Sequence, residues 1–272
     1  MSTLCEVSST ETMQRAKYGD DYKQDFDPEV YLEMYYTDLK GQTSEGDMLE
    51  TSMLFWHETF AQGNITGHRL LDIGTGPTIH TVISASNCCD TIHLSEFAPQ
   101  NRETLRKWLE GTLQHSFKSF FQYVVDREGK GELSSAREAM LKDKIVGIFP
   151  LDLLQAEPLL PSLFPTFDII TSSLCIEAAA PDLAGYEIIA RRVGKLLKEG
   201  GHIALFGVLG ESFYQVGSHT FYCLKISGEQ VQDIWKRSGF KIVGWKQKSS
   251  LGHDASLSDF EGVFHMVAQK SL

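Results

Sequence analysis

The sequence predicts one doubly wound α/β domain with a mostly parallel sheet, an antiparallel edge and an N-terminal helical extension. Short apolar runs, of the length typical of buried strands, alternate with amphipathic helical segments along most of the chain. A glycine turn follows the first of these strands, and no helix separates the last two strands. We therefore divide the 272 residues into a polar leader at 1–25 and a single domain at 26–272, whose residues 26–66 form a helical lid.

The elements before the glycine turn are helical apart from one strand. An aromatic stretch at 31–36 opens the lid, and a second helical run is predicted at 48–60. Residues 69–73 form a short apolar run that ends at the turn 74–78, so this run is predicted as the first strand.

The later elements alternate in the order expected of a parallel sheet. The predicted helices lie at 79–86, 99–110, 183–197 and 228–238, and the predicted strands lie at 91–95, 145–151, 168–172, 202–208, 241–245 and 263–269. Glycines after two of the helices, at 200–201 and at Gly239, are expected to act as left-handed helix ends.

The segment 116–144 is longer than an ordinary connection between a helix and a strand. Its aromatic and β-branched run at 120–125 is predicted as an additional strand, followed by a turn at 126–132 and a helix at 134–142.

Composition excludes several classes of protein. The chain has 25 Lys and Arg residues against 36 Asp and Glu residues, which gives a net charge of −11 and a pI near 5.3. Nucleic acids and anionic membrane surfaces bind clustered positive charge, so neither is an expected partner. No apolar run approaches the length of a membrane span, and the first 25 residues lack the apolar stretch of a signal peptide.

The cysteines and histidines indicate neither disulfides nor a metal site. Five cysteines, an odd number without a CxxC pair, are typical of a reduced compartment, so we expect a cytoplasmic protein. The nine histidines do not cluster with them at the spacing of zinc ligands, so no metal is expected.

The turn after the first strand is a candidate nucleotide site. Gly74 and Gly76 would let the backbone approach a ligand closely, and Glu96 ends the next strand at the distance along the chain where an acid binds ribose hydroxyls. A dinucleotide fingerprint would place a third glycine where Ile79 stands, so an adenosine ligand is favoured over a dinucleotide. Alternatively, the glycines form only a tight turn and Glu96 is a solvated charge.

Five segments together carry a resemblance to a known family. They are Asp72-Ile-Gly-Thr-Gly-Pro-Thr78, Glu96 with Asn101, Leu174-Cys-Ile-Glu-Ala-Ala-Ala-Pro-Asp-Leu183, Leu196-Leu-Lys-Glu-Gly-Gly-His202 and Gly262-Val-Phe264. This pattern resembles the S-adenosylmethionine-dependent small-molecule N-methyltransferases, which comprise the phenylethanolamine, nicotinamide and indolethylamine enzymes. The resemblance runs from about residue 26 onward and implies the Rossmann-like fold of class I methyltransferases.

The resemblance implies a set of residues for the cofactor, S-adenosyl-L-methionine. Glu96 would hold the ribose, where the family more often has Asp. His80 and Leu153 stand where the family usually has Tyr and Val. The full implied set is Tyr31, Tyr36, Gly74, Thr75, His80, Glu96, Asn101, Asp152, Leu153 and Ser173. Tyr31 and Tyr36 would act as a lid, although without the family they are helix-packing aromatics.

For the substrate, the resemblance favours a small amine of the phenylethanolamine or arylalkylamine kind. Glu177 and Glu211 match two acids that face the amine in the phenylethanolamine enzyme, and they are the candidate catalytic residues. The nicotinamide enzyme instead has Asp at the position of Gly207 and Ser at that of Cys223. The full implied substrate set is Tyr22, Glu177, Glu211, Phe213, Tyr214 and Asp259.

Other functions stay open at this point. One alternative is methylation of nicotinamide or another neutral heteroaromatic compound, and a second is a nucleotide-cofactor-binding protein without catalysis. A nicotinamide-dependent oxidoreductase would share the sheet and Glu96, but the missing third glycine argues against it. We expect a monomer that binds no nucleic acid and no membrane.

Overall fold

A computed structural model describes residues 15–37, 39, 44–159, 166–249 and 255–271. Its helices are α1 (Tyr22–Asp25), α2 (Pro28–Tyr35), α3 (Ser44–Ala61), α4 (His80–Ala85), α5 (Pro99–Glu110), α6 (Lys118–Glu128), α7 (Ser134–Lys144), α8 (Ile176–Ala179), α9 (Leu183–Leu196) and α10 (Gly228–Arg237). Its strands are β1 (Gly67–Ile73), β2 (Cys89–Glu96), β3 (Ile145–Pro150), β4 (Phe167–Ser173), β5 (Leu197–Leu209), β6 (Phe213–Val216), β7 (His219–Tyr222), β8 (Phe240–Ser249) and β9 (Gly262–Lys270).

Seven strands form one sheet in the order β3-β2-β1-β4-β5-β9-β8. The five strands from β3 to β5 in this order run parallel, whereas β9 pairs antiparallel with both β5 and β8. The predicted doubly wound sheet with an antiparallel edge is therefore confirmed. The chain reverses its direction of winding between β1 and β4, so the carboxyl ends of these two strands border the crevice where such sheets bind ligands.

Alternate residues of the central strands bury against helices on opposite faces of the sheet. Leu70 and Phe206 lie on the face covered by α3, α4, α6 and α7. Their neighbours Leu71 and Leu205 lie on the other face with apolar residues of α9 and α10. Burial on both faces explains why the central strands read as continuous apolar runs.

Two predictions about local structure are wrong. Residues 120–125 belong to the helix α6 and do not form a strand. Phe120, Phe121, Val124 and Val125 are all buried, and their spacing puts them on one face of a helix. The helix α9 has no glycine end, because Leu197 follows it in an extended conformation and starts β5, and Gly200 adopts its positive φ only within that strand. The predicted end of α10 at Gly239, with φ +92°, is confirmed.

A two-stranded hairpin, β6 and β7, lies outside the main sheet and was not predicted. The chain ahead of α1 adds to it, because the N–H of Lys17 donates to the Thr220 carbonyl at 2.7 Å and the N–H of Tyr222 donates to the Lys17 carbonyl at 2.9 Å. Part of the predicted polar leader thus pairs with this hairpin.

Cys88, Cys89, Cys175 and Cys223 carry free thiols, and Cys5 lies outside the described residues. In the ranges that the structure describes, no helix is both long and apolar enough to cross a membrane.

Candidate active site

The turn after β1 packs against the turn after β4. Gly74 has φ +64°, and a Cβ built on it would lie 2.0 Å from the Sγ of Cys175. Gly76 also has φ +64°, but a Cβ there would meet no atom within 4 Å. Gly74 is therefore required for the packing of the two turns, while Gly76 borders open space.

A cavity opens beside these turns, and its empty space, including the part open to solvent, is about 910 Å³. The structure brings together in its wall all ten residues predicted for the cofactor, namely Tyr31, Tyr36, Gly74, Thr75, His80, Glu96, Asn101, Asp152, Leu153 and Ser173. Tyr22, predicted as a substrate residue, lines this same cavity. We call it the cofactor cavity.

Glu96 is fixed at the end of β2 by three donors. Its Oε2 accepts from the Gly76 N–H at 2.9 Å, and its Oε1 accepts from the Ala98 N–H at 2.9 Å and from Asn101 Nδ2 at 3.2 Å. Burial raises the pKa of this carboxyl, although the hydrogen bonds oppose the shift. The longer side chain in place of the family's Asp is thus held against the turn that follows β1.

Two polar atoms in the wall of the cofactor cavity are buried without a hydrogen-bond partner among the described residues. They are the Oδ1 of Asn101 and the Oγ of Ser173. Because buried polar atoms are normally hydrogen-bonded, these two are available to a polar ligand in the cavity.

His80 lies in the wall as a neutral side chain. Its Nδ1 is 2.9 Å from the Oγ1 of Thr78, and its ring centroid is 5.2 Å from that of Tyr36. Burial lowers the pKa of His80 to about 3, so the ring carries no charge at neutral pH.

A second cavity, of about 690 Å³, adjoins the first. Six residues line both cavities, namely Tyr31, Tyr36, His80, Leu174, Ala178 and Tyr214. Leu174 has φ +53° and is the one residue other than glycine with a positive φ in the described part of the chain. Its N–H donates to the Phe206 carbonyl at 2.9 Å, which holds this unfavourable conformation in place. We call the second space the substrate cavity.

Both predicted catalytic acids face the substrate cavity. Glu177 lies in the first turn of α8, and its Oε1 accepts from the Val208 N–H at 2.9 Å. Only 3% of Glu177 and 7% of Glu211 are exposed. Burial raises the pKa of Glu177 to about 7 and that of Glu211 to about 8. A hydrogen bond with Cys223 lowers the pKa of Glu211 and so opposes part of this shift.

The remaining predicted substrate residues divide into two groups. Tyr214 lines both cavities, and its hydroxyl is 2.6 Å from that of Tyr22. Phe213 and Asp259 line neither cavity. The Asp259 carboxylate instead accepts hydrogen bonds from the N–H and the Oγ of Ser212, at 2.7 and 2.6 Å, and so supports the turn that carries Glu211.

Several residues of the cavity walls were not predicted. Tyr18, whose hydroxyl donates to the Ala179 carbonyl at 2.7 Å, and Phe97 line the cofactor cavity. Met48, Leu49 and Ser52 of α3 line the substrate cavity. Their spacing gives one helical face, but such a face predicts burial and does not distinguish a cavity wall from a packed core.

Comparison with known proteins agrees with this geometry. A model of the NNMT/PNMT/TEMT family matches residues 14–271. The chain belongs to the NNMT/PNMT/TEMT family. The predicted family and the predicted class of enzyme, an N-methyltransferase, are confirmed by this match.

Three relatives in the NNMT/PNMT/TEMT family illustrate its range. The chain is 31% identical to nicotinamide N-methyltransferase of Homo sapiens, over 92% of this chain and 95% of that protein. It is 33% identical to phenylethanolamine N-methyltransferase of Sus scrofa, over 92% and 90%. It is 32% identical to indolethylamine N-methyltransferase of Oryctolagus cuniculus, over 93% and 96%. The nearly equal identities do not favour any one of the three substrates.

Solved structures show the same fold at low sequence identity. Magnesium protoporphyrin IX methyltransferase from Synechocystis PCC 6803, solved with bound S-adenosylmethionine, superposes with a TM-score of 0.58 at 12% identity, over 95% of this chain and all of that one. The [4+2]-cyclase SpnF gives a TM-score of 0.51 at 16% identity, over 85% and 84%. The fold predicted for this NNMT/PNMT/TEMT family member is therefore confirmed.

Proposed function

We propose that this protein transfers a methyl group from S-adenosylmethionine to the nitrogen of a small arylalkyl amine. The observation that carries the proposal is the position of Glu177 and Glu211. Both acids are buried in the substrate cavity, which is otherwise mostly apolar and aromatic and shares a wall with the cofactor cavity. A cationic amine with an aromatic body complements such a cavity.

The residues of the cofactor cavity fit S-adenosylmethionine. Glu96 is placed to accept hydrogen bonds from ribose hydroxyls, and the unpartnered atoms of Asn101 and Ser173 offer further polar contacts. The open space at Gly76 admits the ligand close to the backbone. When bound, S-adenosylmethionine supplies an activated methyl group on a sulfonium and leaves as the neutral thioether.

Glu177 and Glu211 prepare the amine. An arylalkyl amine has a pKa of about 10, so it enters mainly as an ammonium ion, which cannot act as a nucleophile. The two carboxylates bind this ion by opposite charge, and one of them takes its proton so that the nitrogen lone pair becomes free. With its proton removed, the nitrogen would be free to receive the methyl group that bound S-adenosylmethionine supplies.

The shared wall excludes water and adds no charge to the site. Tyr31 and Tyr36 stand between the two cavities, where their rings replace solvent. The neutral His80 beside them places no positive charge near a sulfonium and an ammonium. Asp259 acts as a positioning residue through Ser212.

We further propose that the protein works as a monomer in the cytoplasm, without a metal ion and without a nucleic acid partner. The net charge of −11 argues against a nucleic acid partner, and the free thiols at four cysteines are typical of a reduced compartment such as the cytoplasm.

Transfer of labelled methyl groups tests the proposal. We expect product with a panel of arylalkyl amines in the presence of S-adenosylmethionine, and less or none with nicotinamide. Product with nicotinamide and none with any amine would establish the neutral heteroaromatic substrate instead. No product with either, despite cofactor binding measured by calorimetry, would indicate a binding protein without catalysis.

A further inference from the structure

Gly207 lies in β5 between Phe206 and Val208, two residues that line the substrate cavity. A Cβ at this position would lie 2.4 Å from a ring carbon of Phe264 and 2.7 Å from the Oε1 of Glu177. The space that a side chain would take is therefore already filled by an aromatic ring on one side and by a predicted catalytic carboxylate on the other.

The ring of Phe264 has no room to retreat from this space. Phe264 is the partner of Gly207 across the β5–β9 pair and is 1% exposed. Its ring stacks on that of Trp245, with ring centroids 5.3 Å apart and an angle of 10° between the planes. A methyl group at position 207 would therefore force a shift at both neighbours, and the flexible end of Glu177 would move further than the buried ring.

The position of Glu177 depends on the contact that this displacement would break. Its Oε1 accepts from the Val208 N–H at 2.9 Å, one residue beyond Gly207. Its backbone is held separately, since the Glu177 carbonyl accepts from the Leu224 N–H at 2.9 Å. A change at position 207 would thus move the carboxylate without releasing the helix that carries it.

We infer that Gly207 is a specificity-determining residue. Because glycine has no side chain, the Glu177 carboxylate can occupy the space beside it, and in that position it favours a cationic amine. This inference rests on the proposed function for the identity of the substrate cavity. A fixed carboxylate favours an ammonium ion over a neutral molecule of the same shape, because only the ion gains from the opposite charge. A displaced carboxylate would lose that preference, while the apolar contacts would remain.

Calorimetric binding tests the inference without requiring turnover. The probes are phenylethylamine and phenylethyl alcohol, which differ in the charged group alone, each added to the complex with the demethylated cofactor. The variant is Gly207→Ala, and the matched control is Gly244→Ala on β8, where a Cβ would make ordinary contacts at 3.6 Å with Val267.

We expect Gly207→Ala to lower the preference for the amine over the alcohol about tenfold, and Gly244→Ala to leave it unchanged. The affinity for the alcohol and for the cofactor should stay within about twofold, which a general structural defect would not permit. If Gly207→Ala fails to fold, the double variant Gly207→Ala/Phe264→Leu is compared with the single variant Phe264→Leu. Leucine at position 264 removes the contact with the aromatic ring and leaves the contact between position 207 and Glu177.

A double-mutant cycle links the effect to Glu177. Glu177→Asp shortens the side chain and withdraws its oxygen from position 207, so Gly207→Ala should change the preference by less than about threefold in that background. An equal loss in both backgrounds, or an unchanged preference in Gly207→Ala, would overturn the inference. So would a wild-type protein that binds both probes equally. A wild-type protein that prefers the amine but never methylates it would instead contradict the proposed function alone.

Discussion

At the scale of single residues, the side chains at the carboxyl edge of the sheet differ in what they contact. The predicted cofactor residues include Glu96, Asp152 and Ser173, which follow or end parallel strands, and the carboxyl ends of parallel strands meet at one edge. Asp259 also lies near that edge, but its carboxylate turns to the N–H and hydroxyl of Ser212. Nothing in the local sequence shows whether the Asp259 side chain contacts Ser212 or lines the cavity.

Glu96 provides the first prediction. Replacing Glu96 by Ala should weaken the binding of S-adenosylmethionine and of its demethylated product by about 1 to 3 kcal/mol, because charge-assisted hydrogen bonds to the ribose are lost. Titration calorimetry measures both affinities. Glu103→Ala, on the exposed side of α5 where Glu103 pairs with Arg106 at 3.2 Å, is the control and should bind normally. Unchanged affinity in a folded Glu96→Ala protein would contradict the assignment.

The second prediction separates the roles of the two acids. Glu177→Gln should mainly lower kcat and steepen its dependence on pH, because Glu177 lies directly after the turn that borders the cofactor cavity. Glu211→Gln should mainly raise KM. In the wild type, kcat/KM should fall as the pH drops below about 8 and then about 7, since protonation removes the charges that bind the ammonium. If both variants kept the wild-type kcat/KM for the best amine, the amine assignment would fail.

At the scale of elements, the sequence predicted the sheet and misassigned part of what surrounds it. The run at 120–125 has strand-forming residues, but its buried positions follow the spacing of a helix, and packing against α3, α4 and α7 decides the outcome. The hairpin β6–β7 has strands of only four residues each, too short for a periodicity to be read. The misassigned helix and the hairpin that was not predicted both lie outside the strands of the main sheet.

The third prediction concerns the segment 22–36 as a lid. The Tyr35 hydroxyl donates to the Gln215 carbonyl at 2.7 Å, and Tyr22 contacts Tyr214, so the segment is closed over the cavities by contacts with β6. Two ligands must enter, so these contacts must open. Hydrogen exchange at 22–36 should slow when demethylated cofactor and amine are both bound, while α10 should show no change. Exchange at 22–36 that ligands leave unaffected would exclude a lid.

At the scale of the whole molecule, the two buried acids of the substrate cavity affect global stability. Glu177 and Glu211 have folded pKa values raised to about 7 and about 8, above the value of 4.5 that they have in an unfolded chain. These two side chains therefore hold more protons in the folded protein than in the unfolded chain across this range. Their contribution to stability falls as the pH rises from about 4.5 to about 8.

The fourth prediction follows from that sign. In thermal unfolding without ligands, wild-type Tm should decrease between pH 5.5 and pH 8.5 by at least about 3 °C more than the Tm of the Glu177→Gln/Glu211→Gln variant. The buried His80 and His265, whose pKa values are lowered from 6.5 to about 3 and about 4, act in the opposite direction up to about pH 6.5, but both proteins carry them, so they do not alter the difference. Equal decreases in the two proteins would show that the acids are not buried as described.

The pairing of Lys17 with the hairpin has a practical consequence for handling this protein. Tyr18 lines the cofactor cavity, so Lys17 lies beside that cavity. The other end lies far from there, because β9 runs antiparallel to β5 and Lys270 donates from its Nζ to the Leu197 carbonyl, at 2.8 Å, where β5 begins. A fusion partner, fluorophore or surface linker therefore belongs at the carboxyl end of the chain. One placed directly ahead of Lys17 would lie beside the cofactor cavity and hinder ligand binding.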